Sequence, residues 1–433
     1  MKIIHQELRI AKSDLKSECL SGIKEYYETH IKPIYPSYIP IRFVITETTE
    51  IAYSSEIDFL VPEKNDNFTN YSRSVFDFNC RTHESVDGFV VALIIPTGIG
   101  AEIGGHCGDG NVVARLLASA CDTLITHPNV VNASDINELT ENTLYVEGSV
   151  LTRLFMGTVG LQRVRSNRIL MLMDKSGDRF FNDEIINAVS SARVTLGINC
   201  DVLEMEDRME SCPIFTKSER ASGHVKHLER LFNTIEKYKN DYDAIGLATI
   251  VDVPGNADRE YFLTHEEVVN PWGGIEAMIT HSVAEAFRMP CAHSPLSSSM
   301  DKLHLDLDLG IIDPRKAPET SSVTYLHCIL KGLHRSPRIT SYEKGLNVEN
   351  ISCLVIPDGC LGLPVLACIE HGIPVIAVKN KNRMKNNLSL LPFKRGQLFL
   401  AENYMEAVGI MTAIKAGISI DSIKRPICWT NVL

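Results

Sequence analysis

Ile94-Ile95-Pro96-Thr97-Gly98-Ile99-Gly100-Ala101-Glu102-Ile103-Gly104-Gly105-His106-Cys107-Gly108-Asp109-Gly110-Asn111 carries an apolar strand into a loop with six glycines. The helical pattern Val112-Val113-Ala114-Arg115-Leu116-Leu117 follows. Glycine lets a backbone take positive φ and approach a ligand closely. A helix that starts there aims free N–H groups at whatever the loop holds. The loop also carries His106, Cys107 and Asp109, so strand, glycine loop and helix read as one wall of a site in an α/β fold.

From about residue 88 onward the chain repeats that alternation, as βαβ units do. Strands are expected at 89–95, 122–126, 168–173, 199–204, 243–252, 352–357, 373–378 and 397–401. Helices are expected at 111–120, 181–195, 223–238, 274–288, 320–333, 363–371 and 403–416. Runs such as Cys353-Leu354-Val355-Ile356 suit a parallel sheet covered on both faces. The expected architecture is α/β, with two Rossmann-like, doubly wound, mostly parallel halves at 88–240 and 241–433. Residues 1–87 read as a small α+β extension, with a helix near 13–30 and alternating segments at 41–46 and 75–79. Residues 205–222 read as a linker or lid. Residues 352–378 repeat the strand, glycine turn, helix, strand order of 96–124, as corresponding units of two halves would.

Composition narrows the function classes. A net charge of -11 with no basic block argues against a nucleic-acid partner. No apolar run reaches the roughly 18 residues of a spanning helix, so no membrane partner is expected. Twelve cysteines without a C-x-x-C pair suit free thiols in a reducing, cytoplasmic compartment. The 433 residues are enough for two or three domains, and a homo-oligomer is an open expectation.

In open α/β sheets ligands bind beyond the carboxyl ends of the strands. Three segments should lie there: Gly98–Asn111, Asn270–Glu276 and Asp358–Gly362. Gly98, Gly100, Gly104, Gly105, Gly273, Gly274 and Gly359, with Asp358, would then grip a small anionic metabolite. Each glycine taken alone also fits a tight turn. The cofactor is undefined: Gly98-x-Gly100-x-x-x-Gly104 misses the dinucleotide fingerprint by one residue, and the Lys-Ser/Thr of a P-loop is absent. His106, His127, His281, His293 and the aspartates could bind a metal, but no tight ligand spacing supports one. Asp252 and Asp258 bracket a loop signal and could contact substrate. Asp306-x-Asp308 before Gly310 resembles part of a cation loop but fits an alternating strand better.

Cys107 and Cys360 both precede helices, where a helix N-terminus favours thiolate. They could form an acid/base pair, or one could be a nucleophile with His106 as its base. The alternative is two semi-buried turn residues. Asp109, His127 and His293 sit near expected loop ends and suit acid/base or binding work. Arg315, Arg335 and Arg338 could clamp a carboxylate or phosphate bidentately.

Several of these stretches also carry a resemblance. The run from Pro96 to Gly105, the segment Asp122-Thr123-Leu124-Ile125-Thr126-His127-Pro128-Asn129-Val130-Val131-Asn132, and Asn270-Pro271-Trp272-Gly273-Gly274 are its strongest parts. Pro290–Pro295 and Leu330–Pro337 add to it. Together they resemble a domain family of unknown function found in cyanobacteria and other bacteria, over roughly residues 90 to 430. That resemblance implies coherence of the domain and no particular reaction. More locally, Asp358–Pro364 followed by Gly372–Ile376 is similar to the second-cysteine segment of aspartate/glutamate/hydantoin racemases. It also resembles the donor-site turn of two-domain sugar-nucleotide enzymes.

The expected function is proton transfer, of isomerase, racemase or lyase type, on a small carboxylate-bearing metabolite such as an amino acid. Cys360 with His106 or Asp109 would move the proton. The competing readings are group transfer from a nucleotide or phosphorylated donor, and non-catalytic small-molecule binding.

Overall fold

The computed structural model describes residues 1–63, 73–175, 178–255, 257–264, 268–297, 309–320, 324–430 and 432. Asp306 and Asp308 lie outside the described residues.

The opening strand is β4 (Val90–Leu93), with all four residues buried. It sits inside a six-stranded sheet in the order β18-β17-β15-β4-β5-β6. Its partners are β5 (Thr123–Thr126), β6 (Thr143–Tyr145), β15 (Ile351–Pro357), β17 (Val375–Val378) and β18 (Leu398–Ala401). Every pairing is parallel. Apolar residues on both faces of β4 and β15 are what a covered parallel sheet demands. The helix Asn111–Ala118 packs on β5, and the helix Tyr404–Lys415 packs on β17 and β18.

A second parallel sheet has the order β13-β12-β8-β9. Its strands are β8 (Arg168–Met173), β9 (Asn199–Glu204), β12 (Ala244–Ile250) and β13 (Cys291–Leu296). The mixed α/β, Rossmann-like architecture is thus present, with its sheets interleaved along the chain. Strands on both sides of the 168–296 segment pair in the first sheet through β15 and β4. The two echoing segments, 96–124 and 352–378, therefore contribute strands to one sheet, with β4 between them.

The third layer is an antiparallel sheet in the order β10-β11-β1-β3-β2-β16. It is built on β1 (Lys2–Ala11), β2 (Ile39–Thr48) and β3 (Ala52–Val61). β10 (Glu210–Phe215) and β11 (Ala221–Lys226) add a hairpin, and β16 (Leu361–Gly362) adds an edge. The segment 205–222 therefore supplies β10 and the start of β11 to this sheet. In β10 alternate residues are exposed, and that polarity imitates a linker. Two other local expectations change. The first long element is strand β1, the helix being confined to Leu20–Tyr26 with a π turn after it. Residues 75–79 form no strand; Val75 and Phe76 are buried in a turn.

Two helices join the layers. Gly273–Phe287 packs against β13, β11 and β2. Leu326–Arg335 packs against β6 of the first sheet and β8, β12 and β13 of the second. A short antiparallel pair, β7 (Gly160–Gln162) and β14 (Arg338–Thr340), closes the junction.

Candidate functional site

A crevice opens at the carboxyl ends of strands from both parallel sheets, where α/β folds place ligands. Thr97 follows β4, His127 follows β5, Glu147 follows β6 and Cys360 follows β15; all line it. From the second sheet, His293 and Leu296 of β13 line the adjoining part. The parts share walls: Cys107, Asn132, Asn270, Glu276 and His293 between two of them. Thr97, His127, Gly148, Ala277 and His281 join the third.

Glu147 caps the helix Gly148–Phe155, accepting from the Ser149 and Val150 N–H groups at 2.9 and 3.3 Å. Its other oxygen, Oε1, is hydrogen-bonded to His281 Nδ1 and accepts from the Thr280 hydroxyl at 3.2 Å. Burial alone would push this carboxyl up. The His281 ring and the Ser149 donors outweigh it and hold the group down to about 2, so it stays ionised. A Cβ on Gly148 would stand 3.1 Å from His281 Cε1 and 3.9 Å from Nε2. The bare backbone there leaves the far edge of the imidazole open on the crevice wall. The pair is a carboxylate-oriented histidine.

His127 is buried, and Nε2 accepts the Ile95 N–H at 3.1 Å. Its proton therefore sits on Nδ1. Burial lowers this imidazole to about 4 despite nearby Glu147, and it is neutral at pH 7. His293 Nε2 meets the Thr249 hydroxyl at 2.6 Å. Its Nδ1 lies 3.8 Å from the Glu276 carboxylate and has no hydrogen-bond partner.

The antiparallel sheet supplies cations. Arg42 on β2 and Arg220 just before β11 line the same part of the crevice as His127, His281 and Cys360. Arg42 Nε pairs with Asp58 at 2.5 Å, and Arg220 pairs with Glu56. Each keeps one buried N–H without a partner, Nη2 of Arg42 and Nε of Arg220.

The glycines explain how Arg220 gets there. Ala221 N–H donates to Gly98 O at 3.0 Å. A Cβ on Gly98 (φ +73°) would stand 2.8 Å from Ala221 O, and one on Gly274 only 2.4 Å. Two of the expected ligand loops thus use glycine to clasp a backbone of the third layer. Gly98 and Gly273 line the crevice. Gly104 packs on Ile95, Gly105 on Ala101 and Gly100 on Val269. Of the third loop only Cys360, Leu361 and Gly362 reach the crevice. Asp358 is exposed, and its carboxylate accepts the Gly359 N–H within the turn.

The other expected residues divide. Cys107 lines the crevice; its N–H donates to Glu319 Oε1 at 2.9 Å and Asn270 Nδ2 lies 3.8 Å from its Sγ. Burial pushes both the Cys107 and Cys360 thiols up, outweighing the helix starts beside them. They are held protonated, and they line different parts of the crevice. His106 and Asp109 do not line it. His106 Nδ1 donates to the Tyr261 hydroxyl at 2.6 Å, which donates to Glu319 Oε1 at 2.6 Å. Burial lowers His106 to about 4 and raises Glu319 to about 7. Asp109 Oδ1 accepts the Gly104 N–H at 2.7 Å, closing the loop, and burial raises that carboxyl to about 8. Arg315 pairs bidentately with Asp313 at 2.8 and 3.2 Å, and Arg338 with Asp243 at 3.0 Å. Arg335 lines a separate cavity. Among the described residues no group of three or more His, Cys, Asp or Glu is placed to hold a metal, and no helix is long and apolar enough to cross a membrane.

A family model for a protein of unknown function, DUF3326, matches residues 90–424. The chain belongs to the DUF3326 family. Both parallel sheets and the helix Gly273–Phe287 fall inside the matched DUF3326 region, whereas Arg42, Glu56 and Asp58 lie before it. The chain is also similar to an uncharacterized lipoprotein of Synechococcus sp., with 32% identity over 335 residues, covering 75% of this chain and 90% of that protein. No solved structure matches.

Proposed function

We propose that this DUF3326 protein is an enzyme that moves a proton on a small carboxylate-bearing metabolite, as isomerases, racemases and lyases do. The observation that carries the reading is the Glu147–His281 pair on a wall shared with Arg42 and Arg220. The guanidinium groups of the two arginines would attract the substrate carboxylate from the crevice wall, and β2 and the start of β11 fix their positions. His281 Nε2 would take the proton from the adjacent carbon. Glu147, already ionised, would stabilise the imidazolium that forms. Neutral His127 would offer its Nδ1–H to the charge developing on the carboxylate oxygen. A neutral imidazole is the better-matched donor to an enolate-like oxygen. Cys360 and Cys107, held as thiols, shape the wall in this scheme.

We place the reaction in the cytoplasm, in line with twelve free cysteines; cell fractionation checks this. The function is tested by incubating the full chain with cell metabolite extract in D2O and reading mass gain by untargeted mass spectrometry. The reading predicts one deuterium per turnover in a carboxylate-bearing compound. An extract with no protein-dependent deuterium gain refutes it.

A further inference from the structure

The helix Leu326–Arg335 separates two cavities. Cys328 and Ile329 line the crevice, while Lys331, Gly332, His334 and Arg335 line a second cavity beside β6. Arg163 and Arg165 complete its cationic wall. Four permanent cations thus face one lining carboxylate, Glu141, in a chain of net charge -11.

This charge is not neutralised internally. Lys331 donates to the Asn137 carbonyl, and Arg163 donates to the Thr123 hydroxyl at 2.5 Å. Both partners are neutral. Arg165 and Arg335 enter no ion pair among the described residues. His334 Nδ1 is buried without a hydrogen-bond partner. Burial and the adjacent Arg335 push that ring's basicity down, so it does not add a fifth charge. Cations gathered without counter-charge repel one another, and a bound anion relieves that repulsion. Guanidinium forks match phosphate oxygens bidentately. The floor is apolar, with Leu139, Leu144 and Tyr145, which leaves a surface for the organic part of a ligand.

We propose that this second cavity binds a small phosphorylated metabolite, its phosphate held by Arg163, Arg165, Lys331 and Arg335. The cavity also touches the crevice mechanically. A Cβ on Gly332 would lie 2.6 Å from the Tyr145 ring, so glycine lets that ring rest directly on the helix. The Tyr145 hydroxyl donates at 3.0 Å to Asn132 Oδ1, and Asn132 lines the crevice. The site stands independently of the proton-transfer reading.

The test is titration calorimetry of the full chain with pyrophosphate, against sulfate at matched ionic strength. Saturable binding of one pyrophosphate per chain is expected, weakened roughly tenfold or more in Arg165→Gln/Arg335→Gln. Arg165→Lys, which keeps the charge and loses the fork, should weaken it less. Arg179→Gln, on a residue 89% exposed and remote from this cavity, should leave it unchanged. The altered arginines are exposed, so folding is preserved and is checked by thermal unfolding. No saturable binding, equal binding of sulfate, or equal loss in Arg179→Gln overturns the proposal.

Discussion

His281 Nδ1 is hydrogen-bonded to Glu147 Oε1, and the same carboxylate caps the helix Gly148–Phe155. One side chain therefore orients the imidazole and starts the helix that borders it. Glu147→Gln should cost about 1–2 kcal/mol of stability through the cap and slow turnover by roughly 100-fold or more through the imidazolium. Glu147→Asp should recover more of the cap than of the turnover. Urea unfolding and deuterium-exchange rates read the two effects separately. Equal exchange in wild type and Glu147→Gln contradicts the orienting role.

Asp109 gives a stability trend that runs with pH. Its carboxyl rises from an ordinary value of 3.8 to about 8, so the folded chain holds this proton more tightly than the unfolded chain. The contribution is complete below 3.8 and lost as pH rises through about 8. Asp109→Asn keeps an acceptor for the Gly104 N–H and removes the titration. The variant should therefore gain on wild type between pH 5 and pH 8, each kcal/mol being worth roughly 2–4 °C in Tm. Glu319, raised to about 7, leaves a residual slope of the same sign in the variant. A constant gap across that range contradicts the assignment.

Gly274 has a packing reason that a second glycine lacks. A Cβ there meets the Ala221 backbone, whereas one on Gly409 meets nothing within 4 Å. Gly274→Ala should cost about 1–3 kcal/mol and displace Arg220. Gly409→Ala, within the helix Tyr404–Lys415, should gain roughly 0.5–1 kcal/mol from helix propensity. Denaturant midpoints with unchanged slopes check both. Equal effects would remove the clasp from the account.

Arg220 is 2% exposed and Glu56 3%. Arg220→Met leaves a buried carboxylate without its cation, at a cost of about 3–5 kcal/mol. Arg220→Met/Glu56→Leu should recover most of that stability without recovering activity. If the double variant regains both, Arg220 has no part in binding.

The sequence made the parallel strands legible because β4, β12 and β15 are apolar runs that only a covered sheet accommodates. His127 is on the crevice because it follows such a strand, and Gly98, Cys107, Asn270, Gly273 and Glu276 reach it from the first two loops. His293 reaches it from inside β13, a strand the sequence pattern does not mark. The hairpin Glu210–Lys226 was concealed by its polar, alternating residues. Arg42 and Arg220 lie on antiparallel strands far apart in the chain, and no local spacing brings them together. Glu147 follows a three-residue strand too short to stand out, although Glu147-Gly148-Ser149 does carry a capping signal. The cysteines misled because a helix start is visible in sequence and burial of a thiol is not.

The most direct measurement is solvent deuterium incorporation into metabolite extract by wild type, His281→Gln and Cys360→Ala side by side. Rapid incorporation by wild type, loss of roughly 100-fold or more in His281→Gln, and retention in Cys360→Ala are expected. Full incorporation by His281→Gln, or loss in Cys360→Ala alone, would contradict proton transfer by His281.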